Sequence, residues 1–292
     1  MCSEISEPTY PTSTTTKTVV IPTIPHDIID EVLGHLRLIT CSDIAGFLPA
    51  STLISLQARA LLPLRTCALV SKSWAQLSRR HLFHTVLFTS RDMDRWLKTF
   101  LVPEESPAHH VRDLHVWIGA GPVDEESFEY TPQFRNVERL SLLGYGRAQP
   151  YRRRSFWKLP HSTTSLTIDT DRVTLVQVRD IIEQLPNLDD LSLSGLLFPT
   201  GEDVLPGTGT TLRGRFGGRL LLRGDYAGED VINMLLEIPS GLRFTEVQVG
   251  CTHEHLPSVV RLTEACDKTL VKLSHTVVSR CKSHPFSLSG WF

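Results

Sequence analysis

Leu185-Pro186-Asn187-Leu188-Asp189-Asp190-Leu191-Ser192-Leu193 sets apolar residues at 188, 191 and 193, and its last four residues alternate as a strand does. The same apolar-x-x-apolar-x-apolar pattern returns at Val111, Leu114 and Val116, at Val137, Leu140 and Leu142, and at Phe244, Val247 and Val249. Leu166 with Ile168, and Leu220 with Leu222, keep its last two positions. Leu270 with Leu273 keeps the first two and loses the third to His275. Aligned on the middle position, the series runs 114, 140, 166, 191, 220, 247 and 273, with steps of 26, 26, 25, 29, 27 and 26. Self-similarity at such a period is the signature of a repeat architecture.

Several intervals between these strands read as helices. Leu175, Val178, Ile181, Ile182 and Leu185 make a helical stripe ended by Pro186, and Val231, Ile232, Leu235, Leu236 and Ile238 make another ended by Pro239. A strand plus a helix in 25–29 residues is the unit of a leucine-rich-repeat horseshoe, whose apolar faces only a stacked neighbour can cover. The predicted fold class is α/β, with residues 85–292 as a leucine-rich-repeat-like solenoid. Thr85-Val86-Leu87-Phe88 alternates as its first strand, and Ser90 is placed to cap a helix carrying Met93, Trp96, Leu97 and Phe100. The Asn that often follows the strand in this class is missing. Leu140, Leu166, Leu191, Leu220 and Val247 should stack along one interior line, with Leu142, Ile168, Leu193, Leu222 and Val249 along the next. Residues between them should then face outward on the concave sheet. On that surface Trp117, Asp169 and Arg223 are the candidate substrate-binding residues, since aromatic and Arg side chains most often anchor interfaces.

Upstream the chain changes character. Ile24-Pro25-His26-Asp27-Ile28-Ile29-Asp30-Glu31-Val32-Leu33 predicts a helix: Pro25 suits the first helical position, acidic residues crowd the early turns, and Ile28, Ile29, Val32, Leu33 and Leu36 form one broad stripe. Cys67-Ala68-Leu69-Val70-Ser71-Lys72-Ser73-Trp74 predicts a helix ending at Val70, a Ser71 N-cap and a further helix bearing Trp74 and Leu77. Elements this short cannot bury their apolar faces unaided.

The order of these segments, followed by Ser78-Arg79-Arg80-His81-Leu82-Phe83, resembles an F-box, and most closely the F-box-like proteins abundant in mushroom-forming fungi. The resemblance implies a three-helix module over 23–84 that docks on a Skp-family adaptor, and through it on a cullin-RING ligase. The second domain would recruit an unknown protein substrate, and the chain itself would have no catalytic residue. Carried over by position, the adaptor-binding residues are Pro25, Ile28, Ile29, Val32, Leu33, Leu64, Cys67, Leu69, Val70 and Trp74. Two departures stand out: Ile24 replaces the leucine usual before the proline, and residues 37–59 insert about twenty residues between the first helix and the next. The alternative is a protein-interaction scaffold that keeps a degenerate F-box without serving a ligase.

Composition narrows the remaining classes. The 292 residues are 41% hydrophobic and 21% charged, with a net charge of −2 that favours neither nucleic acid nor anionic lipid. No apolar run reaches the length of a membrane span. Ser3 to Thr18 holds eleven Ser, Thr or Pro among sixteen residues, so residues 1–22 read as a disordered tail and not a signal peptide. Cysteines at 2, 41, 67, 251, 266 and 281 form no Cys-x-x-Cys pair, which points to a reducing compartment, cytoplasm or nucleus, and to no disulfide framework. Neither a cofactor nor a metal is expected: Cys251-Thr252-His253-Glu254-His255 has ligand residue types at the wrong spacings. Gly207 to Gly218 lacks the Gly-x-x-x-x-Gly-Lys-Ser/Thr of a phosphate loop and coincides with the 29-residue step. The basic, aromatic run Tyr151 to Lys158 reads as a solvated face, and the pair His109 and His110 as simply exposed.

Overall fold

Alternating apolar residues that recur at a fixed step can satisfy both their backbone and their side chains by pairing with the next copy of themselves. A computed structural model of the chain describes residues 24–41, 59, 61–89, 106–117, 134–144, 159–170, 173–195, 216–223, 228–238 and 241–277. Among these residues three helices come first: α1 (His26–Cys41), α2 (Leu62–Ala68) and α3 (Lys72–Leu82). The strands are β1 (Thr85–Thr89), β2 (Asp113–Trp117), β3 (Arg139–Gly144) and β4 (Ser165–Thr170), then, after helix α4 (Leu175–Glu183), β5 (Asp190–Ser194) and β6 (Arg219–Leu222). Helix α5 (Glu229–Leu236), β7 (Glu246–Cys251), helix α6 (Leu256–Ala265) and β8 (Lys272–Val277) follow. The protein is a mixed α/β structure whose eight strands lie in one sheet in chain order, every neighbouring pair parallel.

The register follows the sequence series. Val86 pairs with Leu114, and the line continues through Leu140, Leu166, Leu191, Leu220 and Val247 to Leu273. Phe88, Val116, Leu142, Ile168, Leu193, Leu222, Val249 and His275 form the second line. A slip of one residue would turn every one of these side chains to the opposite face, so the apolar pattern specifies the pairing strongly. As far as β7, both lines pack with Val178, Ile181, Ile182, Val231, Ile232, Leu235, Val259 and Leu262 in one core, which places α4, α5 and α6 on the same face of the sheet. The opposite face is not covered by these helices.

A backbone clasp fixes the step from strand to strand. The N–H groups of Arg112 and Asp113 both donate to His84 O at 2.9 Å, and Glu138 with Arg139, Thr164 with Ser165, and Asp189 with Asp190 repeat the pairing onto Arg112, Glu138 and Thr164. The clasp changes where the step lengthens to 29 residues. There Arg219 N–H donates to Asp190 Oδ1 at 2.6 Å and Gly217 N–H to Asp189 Oδ1 at 2.8 Å. A Cβ on Gly218 would meet the carboxylate ends of Asp189 and Asp190, which would have to swing aside.

Local signals set the helix ends. Ser71 caps α3 by accepting the Trp74 N–H at 3.3 Å, as the sequence predicts. Thr174 and Gln177 form a reciprocal capping box at the start of α4. Pro25 stands one position earlier than expected, before the helix, where its carbonyl accepts the Ile29 N–H at 3.2 Å. The basic run at 151–158, the Ser90–Phe100 helix, most of the 37–59 insertion and the N-terminal tail lie outside the described residues. Among the described residues no helix is long and apolar enough to cross a membrane.

Candidate functional site

Two surfaces remain once the cores are closed. The first lies on the helical module. Ile29, Leu33 and Leu64 are enclosed there, with Leu36, Leu61, Cys67, Trp74, Leu77 and Leu82 packed around them. The broad stripe expected on α1 therefore divides in two. Residues four apart share a helix face, so Ile29 and Leu33 turn inward, whereas Ile28 and Val32 are 48% and 42% exposed. Ile29, Leu33 and Leu64 were expected as adaptor contacts. The structure corrects that expectation, because all three are interior residues of the module. Cys67 and Trp74 sit half-buried at its edge. Pro25, Ile28, Val32, Leu69 and Val70 are exposed, together with Leu62, which sequence reading passed over. His81 Nε2 meets Asp30 Oδ1 at 2.9 Å and ties α3 to α1.

The second surface is the face of the sheet opposite α4, α5 and α6. Trp117, Leu143, Asp169 and Ser194 share one register row, so Trp117 and Asp169 stand two strands apart. At about 4.8 Å per strand that is about 10 Å. Trp117 is half-buried, and Asp169 accepts a 2.6 Å hydrogen bond from the Ser194 hydroxyl. Arg223 lies just past β6 and is exposed, its N–H bonded to Leu193 O at 3.0 Å. The sheet thus brings Trp117 and Asp169 into one row and sets Arg223 beyond the end of its strand. In the adjacent row desolvation holds the His115 imidazole below the usual histidine range, with Asp113 opposing and Arg139 adding to the effect.

At the strand entrances this face carries charge. Arg139 grips Asp113 with two 2.6 Å hydrogen bonds, and Glu246 takes Lys272 at 2.6 Å and Arg219 at 3.2 Å. Desolvation works to raise the Asp113 carboxyl, but the Arg139 fork, with His84 and Thr85, outweighs it and keeps the group below the ordinary carboxylate range. Sequence reading missed a second, polar ladder: Asn136 Nδ2 donates to His109 O at 2.7 Å and Asn187 Nδ2 to His161 O at 2.9 Å. Both Asn residues stand just ahead of an apolar position that begins a repeat, a spacing that could have revealed them.

Among the described residues no group of three or more His, Cys, Asp or Glu is placed to hold a metal ion. Cys251 and Cys266 are buried, and desolvation pushes both thiols up, away from the reactive thiolate. The two surfaces present apolar and hydrogen-bonding groups. A scan against protein-family models and a search of curated proteins each returned no match.

Proposed function

We propose that this chain is the substrate-recognition subunit of a Skp–cullin–F-box ubiquitin ligase of the cytoplasm or nucleus. The helical module would bind the Skp-type adaptor, and the open face of a leucine-rich-repeat-like solenoid would bind a protein substrate. One observation carries the reading. Among the described residues the module fully buries the apolar side chains of Ile29, Leu33 and Leu64 and leaves Ile28, Val32, Leu62, Leu69 and Val70 between 42% and 87% exposed. Scattered exposed apolar residues are ordinary; this many on α1, α2 and the turn after α2 favours a protein partner. The consecutive parallel strands and their matched apolar lines support the solenoid half of the proposal.

The test is copurification of the full chain with a Skp-family adaptor. Ile28→Glu with Val32→Glu should abolish it while leaving the folded signal unchanged, because both side chains point away from the module's core. Truncating a central interface anchor commonly costs about 2 kcal/mol or more, and an unpaired charge held against an apolar partner costs more. Adaptor binding that survives the double variant sinks the assignment, and the scaffold without a ligase then becomes the better account.

A further inference from the structure

On the sheet face opposite α4, α5 and α6, the charge at the strand entrances is closed within the face. Asp113 is held by Arg139, and Glu246 by Lys272 and Arg219. Asp169 and Arg223 differ: among the described residues neither has an ion-pair partner. Asp169 is half-buried, and its Oδ1 accepts the Ser194 hydroxyl at 2.6 Å. One edge of the carboxylate is thereby fixed, while Oδ2 has no donor among the described residues. Arg223 is exposed, with its backbone N–H tied to Leu193 O at 3.0 Å.

Register puts these two charges in line with apolar side chains. Trp117 and Leu143 are half-buried neighbours on β2 and β3, with Asp169 next on β4 and Ser194 on β5. Leu193 pairs with Leu222, so the residues that follow them, Ser194 and Arg223, carry the row to the end of β6. Adjacent strands lie about 4.8 Å apart, so Trp117 to Asp169 is about 10 Å and Asp169 to Arg223 about 10 Å again. The row offers an apolar pair, then an anion, then a cation. Such a row discriminates by the order of a partner's groups as well as by their kind.

We infer that this row, as the substrate surface of the function proposed above, receives an extended segment of a partner protein with an apolar, a basic and an acidic residue at every third position. In a polyproline II conformation residues three apart share a face and rise about 9 Å, close to each step of about 10 Å along the row. A β-strand would turn positions three apart to opposite faces. The apolar residue lies against Trp117 and Leu143, and the basic one meets Asp169 Oδ2. The acidic one meets Arg223, whose planar fork takes a carboxylate through two hydrogen bonds. Trp117 is the anchor, because aromatic side chains carry much of the energy of an interface, and the two charges set the order. Nucleic acid is disfavoured: Asp169 would oppose its phosphates, and the chain as a whole carries a net charge of −2.

The experiment is fluorescence polarisation of the full chain with labelled peptides of one composition. One probe is Leu-Pro-Pro-Lys-Pro-Pro-Glu and the other its charge-exchanged form, Leu-Pro-Pro-Glu-Pro-Pro-Lys. Each is also made in reverse order, since the row can be crossed in either chain direction. In one direction the lysine-centred probe should bind at least about tenfold tighter than the glutamate-centred one, and the ratio should shrink at high salt. Asp169→Lys with Arg223→Glu should invert the preference. Asp169→Asn keeps an oxygen for the Ser194 hydroxyl, so it guards against misfolding of the double variant, and it should lower the ratio about threefold. Equal binding of the two probes in both directions, or no binding, overturns the inference, as does a preference that both variants leave unchanged. Adaptor capture by the same preparation reports on the ligase reading separately. Its absence with the charge-order preference kept overturns that reading and supports this one, and its presence with equal probe binding overturns this one alone.

Discussion

Along the sheet, Leu114, Leu140, Leu166, Leu191, Leu220 and Val247 stand one behind another with no more than 2% exposure. In the helical module, Ile28 and Ile29 are neighbours in sequence and differ as 48% to 3%. Both regions are rich in aliphatic side chains, but the sheet buries its line from Leu114 to Val247, with Leu273 on the last strand 47% exposed, where the module buries one face of a helix and leaves the other out. The difference follows from geometry. A repeated strand inside the series has a copy of itself on either side on which to close its apolar line, whereas three short helices run out of neighbours. Burial in the sheet thus reports on stability, and exposure in the module leaves the surface that the proposed adaptor would cover.

The sharpest way to break this contrast is to truncate the sheet's central line. Leu191→Ala removes a side chain 1% exposed and flanked in register by Leu166 and Leu220. It should cost about 2–5 kcal/mol in denaturant unfolding. A loss below about 1 kcal/mol would mean that the line is not continuous core.

A smaller effect tests the charged entrance of the first strands. Arg139 holds Asp113, whose side chain is 10% exposed while that of Arg139 is 63% exposed. Because the Asp113 carboxyl is held below its ordinary value in the folded state, the pair stabilises fully above that ordinary value and is lost as pH falls through the folded-state one. Asp113→Asn should cost about 1 kcal/mol at neutral pH, after allowing for the solvent around Arg139. The gap between variant and parent should close on acidification. A gap independent of pH would assign the loss to packing and not to charge.

How far the sequence foretold this molecule depended on whether a residue's role repeats. Every middle-line pairing from Leu114 to Leu273 follows the series read from apolar spacing, and Val86 extends it by one strand. What was illegible is what breaks the period. Gly217 occupies the first apolar position of its repeat, and Phe216 fills the space from the preceding residue at φ 38°, packed 5.6 Å from Phe244. That left-handed conformation is costly for an aromatic residue, and the sequence contains no sign of it. Helix α6, with its Pro257 near the start, went unread because its stripe is short. His109 and His110 read as exposed, and only His109 is: contacts with α3 half-bury His110. On α1 a single stripe was legible, but its division into an inner and an outer half depends on where α2 and α3 pack.

Thr163 offers a change in the stabilising direction. It stands at the first apolar position of its repeat, where other repeats carry Val137 and Leu188, and is fully buried with no hydrogen-bond partner for Oγ1 among the described residues. Its backbone N–H already bonds Pro160 O at 3.1 Å, so the side chain can change without disturbing the turn. Replacing an unsatisfied buried hydroxyl by a methyl of the same shape should stabilise the sheet by about 1 kcal/mol. A destabilised Thr163→Val would reveal a partner for the hydroxyl.

The smallest expected effect returns to the module. Leu69, the residue after α2, is 87% exposed, and its N–H is satisfied by Thr66 O at 3.0 Å. Nothing in the fold of the described residues depends on its side chain. Leu69→Ser should therefore change unfolding free energy by no more than about 0.5 kcal/mol, against the several kcal/mol expected for the same residue type at Leu191. The substitution should act instead on association, weakening capture of a Skp-family adaptor if the proposed docking surface includes this turn. Thermal and denaturant unfolding of the isolated chain, set beside adaptor capture, separates the two effects. A stability loss above about 1 kcal/mol would show that Leu69 is covered within the chain itself, and the contrast between a closed sheet and an open module would then no longer hold.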